Sequence, residues 1–166
     1  MNDQPVIALQ VRVGTTDDVH DVMDLALAST AENAFLPYST EKLLREIYSA
    51  LSMERGIMGL IGVPGGKPEG AILLRIGEVW YSSKAVLQEQ AVFIHPDYRS
   101  AKGGRARRLC EFAKMTAERL GMPLLIGIVS NERTEAKVRL YQRQFGTPAG
   151  AFFLYGARTG GQAKED

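Results

Sequence analysis

Apolar and polar positions alternate along this chain in short strand-period runs and longer helix-period runs. Leu9–Val13 follows the two-residue period of a half-buried strand. Gly14–Asp18 then offers a helix start, with a hydroxyl to cap and acids in the first turn. Val19, Val22, Met23, Ala26 and Leu27 recur at helical spacing after it. A second helix is predicted from Ser39 to about Met53, with Leu43, Leu44, Ile47 and Leu51 on one face. From Gly56 the period changes. Ile57–Val63 and Gly70–Tyr81 read as an antiparallel pair joined by the turn Pro64–Pro68. Leu87–His95 is a further strand, stopped by Pro96, which has no N–H for a ladder. The strongest helical pattern follows, with Ala106, Leu109, Cys110, Ala113, Ala117 and Leu120 on one face and Gly121 as its stop. Pro123–Val129 is nearly continuous apolar sequence, the pattern of a strand buried on both faces. Asn131–Phe145 is helical again, and Ala151–Tyr155 reads as a last strand.

The expected order is therefore β-α-α-β-β-β-α-β-α-β. A helix between Leu87–His95 and Pro123–Val129 implies a right-handed parallel crossover, while the earlier strands pair antiparallel. The fold class expected is mixed α+β, with a central, mostly antiparallel sheet flanked by helices. At 166 residues the chain predicts one domain with a real core. That domain spans 9–157, after a flexible lead-in over 1–8 and before a polar, disordered tail over 158–166.

Composition narrows the chemistry. Hydrophobic residues make up 45% and charged residues 23%, an ordinary globular balance. The formal charge of +1 removes any whole-protein electrostatic case for nucleic acid or an anionic membrane. One cysteine excludes an internal disulfide, and with only two histidines no metal centre is expected. No apolar run approaches the roughly 20 residues of a membrane helix, and no charged-then-apolar segment opens the sequence. These features predict a soluble, cytoplasmic protein.

The stretch Val92–Leu109 carries the chemistry. A strand runs into a loop rich in glycine and base, and the loop opens into a helix. Unpaired N–H groups and the positive end of the helix dipole favour anionic oxygen there. Gly103 and Gly104 allow close approach, and Arg99, Lys102, Arg105, Arg107 and Arg108 add positive charge. A pyrophosphate-bearing ligand fits this description. The phosphate-loop pattern G-x-x-x-x-G-K-[ST] and the dinucleotide pattern G-x-G-x-x-G are both absent. Two other readings use the same residues: a solvated turn with a charged outer helix face, and a nucleic-acid-binding domain that sets Arg99–Arg108 against phosphates.

The strand, Pro96-Asp97-Tyr98-Arg99, the Gly103-Gly104 turn and the amphipathic helix together resemble the acetyl-CoA loop of the GNAT N-acetyltransferases. Leu140-Tyr141 followed by Phe145-Gly146 is similar to that family's closing motif, with the final pair reversed and Thr134 where Asn is frequent. In the loop, Gly104 and Ala106 take the two small-residue positions of the family pattern. The resemblance covers Val11 to about Tyr155.

It implies transfer of an acetyl or similar acyl group from acyl-CoA to the amine of a small-molecule or protein acceptor, without a metal. It also implies that Phe93 and Ile94 meet the pantetheine arm through main-chain groups, and that the amides and side chains from Arg99 through Lys102, Gly103, Gly104, Arg105, Ala106 and Arg107 hold the pyrophosphate. Tyr141 matches the family's partner for the departing thiolate; as an unselected tyrosine it would instead pack beside Leu140 and Phe145. Glu89 is the candidate base, against the alternative of an exposed edge glutamate, and Glu78 shares that ambiguity. His95 reads as a solvent-facing strand end, Cys110 as a small core residue. Trp80 and Tyr81 either wall the acceptor cleft or pack the sheet. Acceptor choice would rest with the first two helices and the turn near Tyr81. Homodimers are frequent among such domains, and a non-catalytic acyl-CoA-binding protein of the same fold is the rival within the resemblance.

Overall fold

The computed structural model describes residues 8–99, 102–130 and 133–158. Strand β1 (Gln10–Val13) leads through a 3₁₀ turn at Thr16–Asp18 into α1 (Val19–Asn33), and α2 (Thr40–Leu51) follows. The Ser39 hydroxyl caps α2 by accepting from the Lys42 amide. Three strands come next: β2 (Gly56–Gly62), β3 (Gly70–Glu78) and β4 (Ala85–Ile94). A 3₁₀ turn at Pro96–Tyr98 precedes α3 (Arg105–Leu120), β5 (Leu124–Leu125) and α4 (Thr134–Phe145). The strands lie in the order β1-β2-β3-β4-β5, antiparallel except for the parallel pair β4–β5. This is the mixed, mostly antiparallel sheet that the periodicity predicts.

Helices cover both faces. On one, α3 sets Leu109, Ala113 and Ala117 against Ile61, Ile72, Leu74 and Leu87. On the other, α1 and α2 bury Val22, Ile47, Ala50 and Leu51 against Met58 and Leu60. Of the expected stripes, Val22, Ile47, Leu51, Leu109, Cys110, Ala113 and Ala117 are buried, Leu44 and Leu120 are exposed and the others are half-buried, while Leu25, outside the α1 stripe, is buried.

Two predicted strands need correction. The apolar run Pro123–Val129 forms a ladder only at Leu124–Leu125, and Leu125 and Val129 are exposed. Ala151–Tyr155 forms no strand, and Phe152, Phe153 and Tyr155 face solvent. Both follow from one irregularity in β4. Leu73 pairs with Ala91 and Leu74 with Glu89, so Gln90 is an extra residue in β4 with no partner on β3. Such a bulge bends its strand and raises its twist. Beyond Gln88, which pairs with Leu125, β4 and the β5 chain have no further paired residues, so residues 126–129 have no edge to join and offer none to residues 151–155. The lead-in over 1–7, the helix start expected at Asn131 and the tail over 159–166 lie outside the described residues.

Candidate active site

Where β4 and the β5 chain part, a cleft of about 580 Å³ opens. Its floor is Gln88–Val92 of β4, one wall is Leu125–Val129, and the mouth is the α1–α2 connection from Asn33 to Tyr38. Lys137 and Tyr141, one turn apart on α4, close the far side. The bulge at Gln90 lies in this floor, where a kink in the strand separates the two chains.

Glu89 is half-buried in the cleft, and one carboxylate oxygen accepts from the Gly127 amide at 3.3 Å. Removal from water pushes its carboxyl up to about 7, held back by the Gly127 N–H and by the Lys137 charge. A group near neutrality at physiological pH is suited to taking a proton. The Tyr141 phenol is raised well above its ordinary value, first by burial and then by the fields of Glu89 and Cys110. It therefore stays protonated and is a donor; its ring meets Phe145 edge-on at 5.6 Å. Lys137 is lowered by burial, opposed by Glu89 and Glu32 and assisted by Arg99 and Arg133. Cys110 is wholly buried in α3 with its thiol pushed up to about 12 by burial and by Glu89 and Glu111, which makes it the inert core residue expected.

The glycine-rich loop lies at the start of α3. Gly103 (φ 124°) and Gly104 (φ 61°) both have positive φ, and a Cβ on Gly103 would lie 2.4 Å from the Leu9 side chain. Gly104 caps the helix, leaving the amides of Arg105, Ala106 and Arg107 without intrahelical acceptors. The first turn of α3 carries no acid although Arg105, Arg107 and Arg108 crowd it, an arrangement a bound anion would relieve.

The arginine side chains are less available than their positions in the sequence suggest. Arg99 forms a bidentate pair with Glu32 of α1 at 2.8 and 2.5 Å, donates to the Ile94 carbonyl at 2.9 Å and lies over the Phe93 ring. Arg105 is buried against Glu69 at 2.6 Å and lies over Tyr98. These two guanidiniums face carboxylates of the protein, and the backbone amide of Arg105 has no intrahelical acceptor. Arg108 binds the Gly103 and Leu9 carbonyls and so fixes the loop. Arg107, paired with Glu111 at 3.3 Å, and Lys102 are exposed on the loop side.

The structure thus brings Glu89 and Tyr141 into one cleft. Phe93 and Ile94 lie further along β4, with Phe93 buried and the Ile94 carbonyl engaged by Arg99. Glu78, Trp80 and Tyr81 are exposed at the β3–β4 turn and do not line the cleft, and Trp80 and Tyr81 do not pack the sheet. The His95 ring accepts from the Asp97 amide at 3.3 Å and stands beside Tyr98. Sequence reasoning missed Gln90 and Lys137. The signal for Gln90 was present: Gln88-Glu89-Gln90 breaks the alternation between Leu87 and Val92. The signal for Lys137 was its place four residues before Tyr141, on the same helical face.

No protein-family model matches this sequence, and no curated protein matches it. Solved structures do. An aminoglycoside N-acetyltransferase, AAC(6')-Iy, in complex with CoA superposes with a TM-score of 0.70 at 14% identity, covering 93% of this chain and 97% of that one. The aminoglycoside 6'-N-acetyltransferase AAC(6')-Ih from Acinetobacter baumannii gives 0.64 at 12% identity, covering 92% and 100%. An integron cassette protein from a salt-marsh metagenome gives 0.66 at 22% identity, covering 89% and 90%. The fold of this chain is that of the GNAT acetyltransferases. No helix among the described residues is long and apolar enough to cross a membrane.

Proposed function

We propose that this protein is an N-acyltransferase that moves an acetyl or similar group from acyl-CoA to an amine by direct attack. One observation carries the reading: Glu89 and Tyr141, a base near neutrality and a phenol that keeps its proton, line the cleft that the bulge opens between two parallel strands. The pantetheine arm would lie along the opened edge of β4. The pyrophosphate would meet the amides of Gly104, Arg105, Ala106 and Arg107, with Lys102 and Arg107 supplying exposed charge.

Within the cleft the acceptor amine attacks the thioester carbonyl carbon. Its proton passes to Glu89, the new C–N bond forms as the C–S bond breaks, and CoA leaves as a thiolate that accepts a hydrogen bond from the Tyr141 phenol. The α1–α2 connection at the mouth is the surface that selects the acceptor. A homodimer and a cytoplasmic location accord with the resemblance and are part of the proposal.

Acetyl-CoA is expected to raise the Tm in a concentration-dependent way, since a ligand of the native state stabilises it by RT ln(1 + [L]/Kd). Thiol release over an amine panel then reads turnover. An absent shift at millimolar acetyl-CoA removes the proposal. A shift with no turnover over a broad panel leaves the non-catalytic acyl-CoA binder.

A further inference from the structure

Glu89 and Lys137 are the two charged side chains among the described residues lining the cleft. One is an acid and one a base, they interact electrostatically, and the two form no ion pair within 4 Å. Among the described residues, the half-buried Lys137 ammonium has no hydrogen-bond acceptor. The other acid that acts on it, Glu32, is held bidentate by Arg99. A cation removed from water without an acceptor is unfavourable, and an anionic group arriving in the cleft would satisfy it.

The remaining cleft surface is neutral and mostly apolar. Phe35, Leu36 and Phe152 at the mouth are exposed, and Pro37 stands beside them. Such side chains favour a flat, apolar body against them. A polycationic acceptor fits poorly. It would need a carboxylate for each ammonium, whereas among the described residues the only carboxylate lining the cleft is Glu89, which already accepts from Gly127 and is needed as the base.

We infer that the acceptor is an amino acid or close analogue with an apolar side chain, its amine directed to Glu89 and its carboxylate paired with Lys137. Opposite charges on the two sides of the cleft match the opposite charges of a zwitterion, and the apolar mouth takes the side chain. The inference rests on the acyltransferase reading and sharpens its substrate class. It makes Lys137 a specificity residue that touches the acceptor, separate from the roles of Glu89 and Tyr141 in the reaction.

The test uses the full chain and three probes: phenylalanine, 2-phenylethylamine (the same body without the carboxylate) and a polycationic aminoglycoside. Thiol release from acetyl-CoA gives kcat/KM for each, and calorimetry with CoA present gives phenylalanine affinity without turnover. Phenylalanine is expected to exceed phenylethylamine by about tenfold or more, the scale of one charge-assisted contact. The aminoglycoside is expected to be the poorest. Lys137→Met should bring the phenylalanine-to-phenylethylamine ratio close to one and weaken phenylalanine binding, and Lys137→Arg should retain most of the preference. Preferred turnover of the aminoglycoside or of phenylethylamine, or a ratio unchanged in Lys137→Met, overturns the inference while the acyltransferase reading stands. Loss of the acetyl-CoA-dependent Tm rise in the wild type is the different result that breaks both.

Discussion

Glu69 and Glu89 are two acids withdrawn from water, and the chain partners them differently. Glu69, just before β3, is buried and meets Arg105 at 2.6 Å, with both side chains about one-tenth exposed. Its main chain is also bound, the amide to Ile61 at 2.7 Å and the carbonyl to His95 at 2.9 Å. Glu89, on the bulged strand, has one amide at 3.3 Å and a lysine acting at a distance, and its proton affinity rises to about 7. A carboxylate with a full ion pair is part of the framework. A carboxylate left short of partners in a cleft is destabilised in its charged state, and that is the property the proposed reaction would use.

The sharpest way to test that contrast is to unpair Glu69. Arg105→Met keeps the stem but leaves a buried charge uncompensated, and should cost about 3–5 kcal/mol. In a domain of this size that is a fall in Tm of roughly 10 °C, read by thermal denaturation. A near-neutral result would mean that the Glu69–Arg105 pair does not hold the loop to the sheet.

Glu89→Gln acts on the other side of the comparison and should affect activity above all. With the base removed, kcat is expected to fall by about 10²–10⁴. In the wild type kcat/KM should rise with pH and level off above about 7, as Glu89 ionises. Stability runs the other way. A carboxyl whose folded value lies above its unfolded value contributes stability that is fully present below the unfolded value, near 4.5, and lost as pH rises through about 7. The variant should therefore gain about 1–3 kcal/mol on the wild type between pH 5 and pH 8, and Tm against pH for both proteins checks it.

Tyr141→Phe removes one hydroxyl from the same cleft. In the proposed reaction the phenol serves the departing thiolate, so kcat should drop by roughly 10- to 1,000-fold with CoA affinity little changed. A fully active Phe variant would return Tyr141 to a packing role beside Phe145. The smallest effect is expected from Arg99→Lys, which exchanges a bidentate clasp on Glu32 for a single contact. About 1 kcal/mol of stability should be lost, read by denaturant titration.

The parts of this fold legible from sequence were those decided by local periodicity. The α3 stripe of Leu109, Cys110, Ala113 and Ala117, the Ser39 cap and the β2–β3 hairpin all depend on residues close together in the chain. The loop glycines were legible because positive φ leaves few alternatives to glycine. What was not legible depends on distant partners. Whether Arg99 and Arg105 point outward was settled by Glu32 and Glu69, many residues away. Whether Pro123–Val129 becomes a full strand was settled by the neighbour it needed, which turns aside after Gln88. Tyr141 was singled out by resemblance and Glu89 by its place in the strand before the loop, while the sequence spacing of Lys137 and Tyr141 gains meaning only when both line the same cleft.

The extra residue in β4 also acts as a change of reading frame. Before Gln90, odd-numbered residues face α3, as Leu87 does; after it, even-numbered residues do, and Val92 and Ile94 join the same core. Removing Gln90 would put Leu87, Glu89, Val92 and Ile94 in one uninterrupted alternation, a strand with no reason to bend. Such a deletion should yield a well-packed protein in which residues 126–129 complete their ladder with β4 and the cleft disappears. The chain as it stands gives up a regular sheet at one position, and an open cleft is what it has in return.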